Sequence, residues 1–528
     1  PLEFLDPKFL DSKEENDMAR RTALWLPPLV AALLVVVATG LAPAQTAKRG
    51  GVLSIADPVG PPVLDPHKDG SYQSSGMVLT IMYEGLLTRD AAGELRPHLA
   101  ESWKAVSPTV YEFKIRRGVT FHNDREMDAS DVKYSFEREL DPKTGSPFRA
   151  IWSVIDKVEA PDRSTVRFTL KYPSAPFLNY LAGPYGHQIV AKEAVEKHGD
   201  LNQVAVGTGP FKLVEYVPDS HLKFERHAGY WKKGLPYLDG LNIRIVKDES
   251  ARLAAARAGA ADITYVTAVS APAVKADRNL TLVEGDNVFY GMTLAQFIPN
   301  ASKAPFSDTR VRQAMSLAID RKELLDTVVF GSGAVSGPVP PGMGAVALKP
   351  DYRVDLDKAR ALLREAGHPN GFKATAKVSP QYPLDVADCQ IIKNQLQRIG
   401  IELEIQLVEW GQFLKEWLGG NYDTVCLTSG PLPDPDGFTY DYFHSKSPRN
   451  RAKFVTGELD DIVTQARQAV DPAKRRELLL EVQRRVLDLA PVIYLYSANG
   501  FEVHRASVKG YKPNRISRYG LSETWLDK

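Results

Sequence analysis

One stretch of this chain decides where the rest of it can fold. Leu29 to Ala38 is an unbroken apolar run of ten residues, and no second run of that kind occurs. Arg20 and Arg21 precede it, and Ala42-Pro43-Ala44 follows it. A basic start, a short apolar middle and small residues at the cut make residues 18–44 a secretory signal. The alternative is a membrane anchor. Ten residues fall short of the roughly 20 that a helical span needs, and Pro27-Pro28 interrupts the upstream side. Cleavage is expected between Ala44 and Gln45, and no cysteine lies near the cut to carry a lipid. Residues 1–17 read as an upstream extension. The rest of the chain is expected to be exported and to fold in water.

Charge and composition narrow the classes further. The 528 residues carry a net charge of +1, and 1–44 contribute −2, so the remaining 484 carry +3. Such a balance gives no electrostatic footprint for a nucleic-acid partner, and none is expected. With 44% hydrophobic and 25% charged residues the chain is globular, and its length calls for two or three domains. Cys389 and Cys426 are too few for a disulfide scaffold. An oxidising compartment would let them pair, but their spacing leaves that open.

The hydropathy pattern is mixed α/β. Strands are expected at 51–56, 111–115 and 166–170, with a hairpin from 211–216 and 222–226 turning at Pro218-Asp219. Strand 241–246 leads to Asp248, a helix N-cap. Asp320 and Glu323 form a capping-box pattern. From 355 onward, strands and helices alternate as in an α/β lobe. A helix begins at Asp355, a strand spans 373–378, and an amphipathic helix covers 384–399. Ile401, Leu403, Ile405 and Leu407 alternate with polar residues, so this strand is expected to be half-buried. A short helix carries Phe413, Leu414 and Trp417. A strand at 422–427, a helix opened by Asp471-Pro472 and a buried strand at 492–496 complete the pattern.

Catalytic and metal signatures are missing. The ten histidines are dispersed, and there is no H-E-x-x-H, C-x-x-C, P-loop or G-x-S-x-G. Gly207-Thr208-Gly209 lacks the third glycine of a dinucleotide fingerprint. Ser130-Asp131-Val132-Lys133 matches the S-x-x-K acylation pattern, but its context is the first turn of a helix capped by Asp128. No cofactor, metal or catalytic residue is expected, and a binder is a more natural reading than an enzyme.

Several motifs in fixed order then resemble the family 5 extracellular solute-binding proteins, the peptide, dipeptide and nickel receptors of ABC importers. Leu99-Ala-Glu-Ser-Trp103 is followed by Tyr111 to His122 (YEFKIRRGVTFH) and Asp128 to Phe136 (DASDVKYSF). Gly207-Thr-Gly-Pro-Phe-Lys212 and Gly229-Tyr-Trp231 come next. Asp308 to Ala314, Ala318 to Lys322 and Asp357 to Leu363 complete the set. The likeness spans about residues 50 to 520. It implies a two-lobed periplasmic-binding-protein fold of the α/β class with an extra subdomain in the N-terminal lobe. The first lobe would be discontinuous, from 45–84, 205–285 and 491–528, with the subdomain at 85–204. The second lobe would be 286–490. Solute would bind in the cleft by hinge closure, and a monomer would deliver it to an inner-membrane ABC permease. The motifs themselves are expected to maintain the fold.

Candidate solute contacts follow from the rule that ligands sit beyond the carboxyl ends of strands. Trp410 follows the alternating strand and matches a tryptophan of the dipeptide-receptor pattern; the alternative is a core residue. The Pro/Gly-rich loop Thr428 to Gly437 offers Thr428, Gly430, Pro431 and Asp434, or is a mere connector. Tyr382 could stack on a ring. Tyr72, Phe289 and Tyr290 are further cleft candidates, with core or rim as alternatives. Relative to the family's dipeptide pattern, Pro431 stands where an acid would hold the peptide amino group, and the loop Ser379 to Asp385 lacks the carboxylate-binding arginine. A short zwitterion would lose both charge-assisted anchors, so a dipeptide is disfavoured. A longer peptide, a sugar or an opine-like conjugate remains. The rival readings are a secreted hydrolase of peptides or glycosides and a periplasmic sensor.

Overall fold

The computed structural model describes residues 46–70, 77–90, 93–183, 186–286, 291, 293–430, 432–447, 449–450, 452–514 and 517–528. The expected signal at 18–44 and the extension before it lie outside the described residues. No helix of the described residues is long and apolar enough to cross a membrane.

The fold is mixed α/β, built on two large sheets. The first has seven strands in the spatial order 280–285, 500–505, 263–266, 52–57, 240–245, 221–226, 211–217. Val52–Asp57 lies at its centre, parallel to Gly240–Ile245 and to Ile263–Val266. The second has six strands in the order 333–335, 493–498, 293–299, 424–429, 372–378, 401–407. A four-stranded antiparallel sheet, 100–107, 110–115, 165–170 and 155–162, belongs to the segment inserted between the first and second strands of the seven-stranded sheet. Its core is aromatic. Phe136 meets Trp152 and Phe168 edge to face at 5.1 and 4.9 Å, and Phe113 meets Phe168 at 5.5 Å. Each such pair adds about 0.5–1.5 kcal/mol beyond the area it buries.

The chain leaves the first sheet after Leu280–Gly285 and returns between Ile493–Ala498 and Gly500–Arg505. The expected return at 491 is corrected by this pairing. Ile493–Ala498 lies in the second sheet, between Thr293–Pro299 and Gly333–Val335, and the switch falls at Asn499. A run as apolar as VIYLY suits the middle of either sheet, so hydropathy alone cannot assign it.

Caps and breaks follow the sequence closely. Asp248, Asp355 and Asp471 each accept a backbone N–H at the start of their helices. Asp320 also caps, but Glu323 does not close the box. Gln395 takes that place. Its Oε1 accepts the Asp320 N–H at 3.0 Å and its Nε2 donates to Glu323 at 2.7 Å. The alternation of 401–407 holds for Ile401 and Leu403, which are buried, and fails at Leu407, which is 62% exposed. This is an edge strand whose last residue runs past the core.

The motifs around Gly207 and Trp231 converge on one buried acid. Glu84 is fully buried. Its Oε1 accepts from His98 at 2.9 Å and from Tyr230 at 2.8 Å. Its Oε2 accepts from Thr208 at 2.9 Å and from Trp231 at 3.0 Å. The glycines flanking Thr208 let the backbone come close enough. A Cβ at Gly207 would meet the Met82 carbonyl oxygen at 2.1 Å, and one at Gly209 the Ile81 carbonyl oxygen at 2.4 Å. Replacing Glu84 by Ala leaves four donors without their acceptor. Equilibrium urea unfolding should register a loss of at least about 3 kcal/mol, whereas Lys104→Ala on the exposed face of 100–107 should stay within about 0.5 kcal/mol. Equal, small effects would remove Glu84 from its place in the fold.

Candidate functional site

Three parallel strands of the second sheet end on one edge. Phe372–Val378 pairs in parallel with Ile401–Leu407, so Val378 faces Leu407. It also pairs in parallel with Thr424–Ser429, with Lys377 opposite Val425. That register carries Leu427 to Ser429 beyond Val378, by about 10 Å at the usual rise. Each strand then opens a helix: Pro383–Gln397, Trp410–Gly419 and, after the Pro-rich loop, Asp436–Phe443. Helix N-termini present unsatisfied N–H groups, so this edge offers backbone donors as well as side chains.

Tyr382 and Trp410 form an aromatic corner here. Their rings meet edge to face at 4.8 Å, and Trp410 stacks on Phe413 at 5.5 Å. Phe413 and Trp417 are buried, whereas Tyr382 and Trp410 are only half-buried. Trp410 is therefore neither core nor fully exposed: one face is supported from behind and part of the ring reaches solvent. Thr428 and Gly430 lie at the same edge and are also half-buried. Tyr72, Phe289, Tyr290 and Pro431 lie outside the described residues.

Asp434 departs from its expected role. It is fully buried. Oδ1 accepts from Arg475 at 2.5 Å and from the Asp436 N–H at 2.8 Å, while Oδ2 accepts from Asn179 at 2.5 Å and Arg475 at 3.1 Å. A carboxylate has about four lone-pair sites, so none is left for solute. Burial pushes this carboxyl up, but Arg475 and the other donors bring it net below the ordinary range.

Two acids that the sequence reading passed over stand behind the corner. Asp385 Oδ1 accepts from the Thr428 hydroxyl at 2.6 Å, and its Oδ2 from the Thr428 N–H at 3.2 Å. Asp388 accepts from the Tyr496 hydroxyl at 2.8 and 3.0 Å. Both acids are buried. Burial pushes Asp385 up to about 6 against the pull of Thr428, and lifts Asp388 well above its usual range. The signal was present in the sequence. Asp385, Asp388, Cys389, Ile392 and Leu396 follow helical spacing on the buried stripe of 383–397, so acids occupy core positions. Cys389 and Cys426 lie in the same core as free thiols.

The corresponding edge of the first sheet is closed by an ion pair. Asp57 ends the central strand, and Arg518 meets both of its oxygens at 2.8 Å. Arg518 also donates to the Tyr265 hydroxyl at 2.9 Å. The S-x-x-K match is a helix start, as expected. Ser130 donates to Asp128 at 2.6 Å, and Lys133 pairs with Glu137. Among the described residues, no group of three or more His, Cys, Asp or Glu side chains could hold a metal ion.

Asp385 yields a pH test. Its folded pKa of about 6 lies above the ordinary 3.8. Between these values the folded chain holds a proton that the unfolded chain has released, so its contribution is favourable at low pH and is lost as pH rises through 6. The wild type should therefore lose stability relative to Asp385→Asn on going from pH 4 to pH 7, by up to roughly 3 kcal/mol. Paired denaturation curves at the two pH values read the difference, and a constant offset would show that this carboxyl titrates normally.

Comparison with known proteins bears on the same architecture. The family model for bacterial extracellular solute-binding proteins, family 5 Middle, matches residues 94–451, more than half of the chain. The chain is similar to di/tripeptide-binding protein 2 of Pseudomonas aeruginosa (strain UCBPP-PA14), at 32% identity over 467 residues, covering 82% of this chain and 86% of that protein. Among solved structures it resembles the ABC transporter-associated periplasmic binding protein DppA from Helicobacter pylori in complex with peptide STSA. The TM-score is 0.80 at 28% identity, with 91% of this chain and 99% of that one covered. It also resembles the binding protein AgaA from A. tumefaciens R10 in complex with agropinic acid, with TM-score 0.79 at 28% identity and coverage of 90% and 99%.

Proposed function

This chain belongs to the bacterial extracellular solute-binding proteins, family 5, and on that premise we propose that it is the periplasmic receptor of an ABC importer. It closes its lobes on a peptide-like or other small organic solute and hands it unchanged to an inner-membrane permease. The observation that carries this reading is the edge where three parallel strands converge. There the half-exposed Tyr382–Trp410 corner stands beside Thr428 and Gly430.

The solute is not a short zwitterionic dipeptide. Holding one calls for a fixed anion for the amino group and a fixed cation for the carboxylate. The acid nearest the aligned position, Asp434, is spent on Arg475 and Asn179. The segment after strand 372–378 supplies Asp385 in place of a cation. A longer peptide held through its backbone suits this edge, as does an opine-like conjugate with a flat flank against Trp410. Relatives complexed with a tetrapeptide and with agropinic acid span that range.

Mass spectrometry of whatever is released from freshly purified, denatured protein tests this directly. A solute larger than a dipeptide, chemically intact, is expected, and recovery of dipeptides would overturn the assignment. Trp410→Ala should lower affinity for the recovered solute about tenfold or more in calorimetric titration, with folding retained. An unchanged affinity would move the site away from this corner.

A further inference from the structure

We propose that the subdomain inserted in the first lobe is a closure latch, in which Arg89 and Asn179 act as positioning residues by gripping the loop that follows the solute-facing strand 424–429. The proposal rests on the two-lobed receptor reading above, and it adds a second place where the lobes hold each other.

The contacts run from one lobe to the other. Arg89 Nη2 donates to the Pro433 carbonyl at 3.1 Å and to Asn179 Oδ1 at 2.8 Å. Asn179 Nδ2 in turn donates to Asp434 at 2.5 Å. Beside them the Tyr180 hydroxyl reaches Asp436 at 3.4 Å, and the Ala175 N–H donates to the Arg467 carbonyl at 2.9 Å. Leu432 packs against the core of the first lobe and also against a core of the second. One loop of five residues, Leu432 to Asp436, is thus bound on its far side by the inserted subdomain. Its near side continues from Thr428 and Gly430.

The charges are arranged for release as well as for grip. Asp434 keeps Arg475, and Asp436 keeps Arg467, which meets it at 2.5 Å from Nη2 and 2.9 Å from Nε. Both arginines lie in the second lobe with their acids. Parting the lobes therefore strands neither carboxylate without its countercharge. Removing one member of a buried ion pair is what makes such separations prohibitive. Among the described contacts, what returns to water is uncharged or keeps its own countercharge: the Asn179 amide, the Tyr180 phenol, the Ala175 N–H, the Arg89 contact to the Pro433 carbonyl and the Leu432 side chain. The same loop joins the latch to the solute edge. A solute seated against Thr428 and Gly430 holds the stretch whose next residues the subdomain grips, so occupancy and closure favour each other.

Pulsed electron double resonance on the solute-free full chain tests this. Spin labels go on Val106→Cys in the subdomain and Leu418→Cys in the second lobe, positions that are 54% and 50% exposed. The native Cys389 and Cys426 are buried and take no label. Arg89→Ala combined with Asn179→Ala should move at least half of the population to a longer interlobe distance, and Arg89→Lys should retain more of the short one. An unchanged distribution in the double variant overturns the latch. Should that variant fold poorly by circular dichroism, Asn179→Ala alone is measured, and an unchanged distribution there has the same force. No solute enters the measurement. A latch that fails leaves the receptor reading standing, and a chain that captures no solute leaves the latch to be judged on its own distances.

Discussion

A carboxylate cannot be taken out of water unless something donates to it, and that constraint organises this molecule. The cost of burying an unpaired ion is several kcal/mol even after relaxation. Glu84 meets it with four donors from three separate stretches of chain and so fixes them together. Asp57 meets it with Arg518, drawing the C-terminal segment across the central strand. Asp434 and Asp436 meet it with Arg475 and Arg467. Asp385 and Asp388 are the contrast. Hydroxyl and amide donors serve them instead of cations, and burial lifts both. Fully paired acids hold the frame. Asp385 and Asp388 both lie on the helix that opens after strand 372–378.

Much of the fold was legible because its signals are local. Asp248, Asp355 and Asp471 cap where the sequence puts them, and the hairpin 211–226 turns at its Pro-Asp. The capping box at Asp320 was misread because its partner, Gln395, lies on another helix. The sheet assignment of 493–498 was out of reach for a related reason. Local pattern says that a strand is buried, and only pairing says in which sheet. The site was less legible. Trp410 and Tyr382 were singled out from strand ends, and the structure brings their rings together, but Asp434 looked available because nothing in its neighbourhood announces Arg475 and Asn179. Asp385 and Asp388 were visible as acids on a helix's buried stripe, a cue of periodicity that a search for motifs passes over.

Members of one binding-protein family share a frame and differ in what the loops present. That division is visible here. Two of the motifs that carry the family likeness, Gly207 to Lys212 and Gly229 to Trp231, supply Thr208, Tyr230 and Trp231 to the Glu84 network. The residues we propose for solute contact, Tyr382, Trp410, Thr428 and Gly430, lie at or just past the ends of strands 372–378, 401–407 and 424–429. Likeness in the first set therefore carries little information about the second, and relatives at similar identity are complexed with a tetrapeptide and with agropinic acid.

The position of Gly500–Arg505 has a consequence for how the chain is made. That strand does not sit at a margin. It lies between 280–285 and 263–266, and the arginine that neutralises Asp57 comes later still. During synthesis the seven-stranded sheet has a gap one strand in from its edge until nearly the whole chain has emerged, while the six-stranded sheet waits for Ile493–Ala498. Neither lobe can finish early. Under the receptor reading proposed above, in which the chain crosses a membrane before it folds, such a delay is an advantage, because its last elements to appear are the ones that close both sheets.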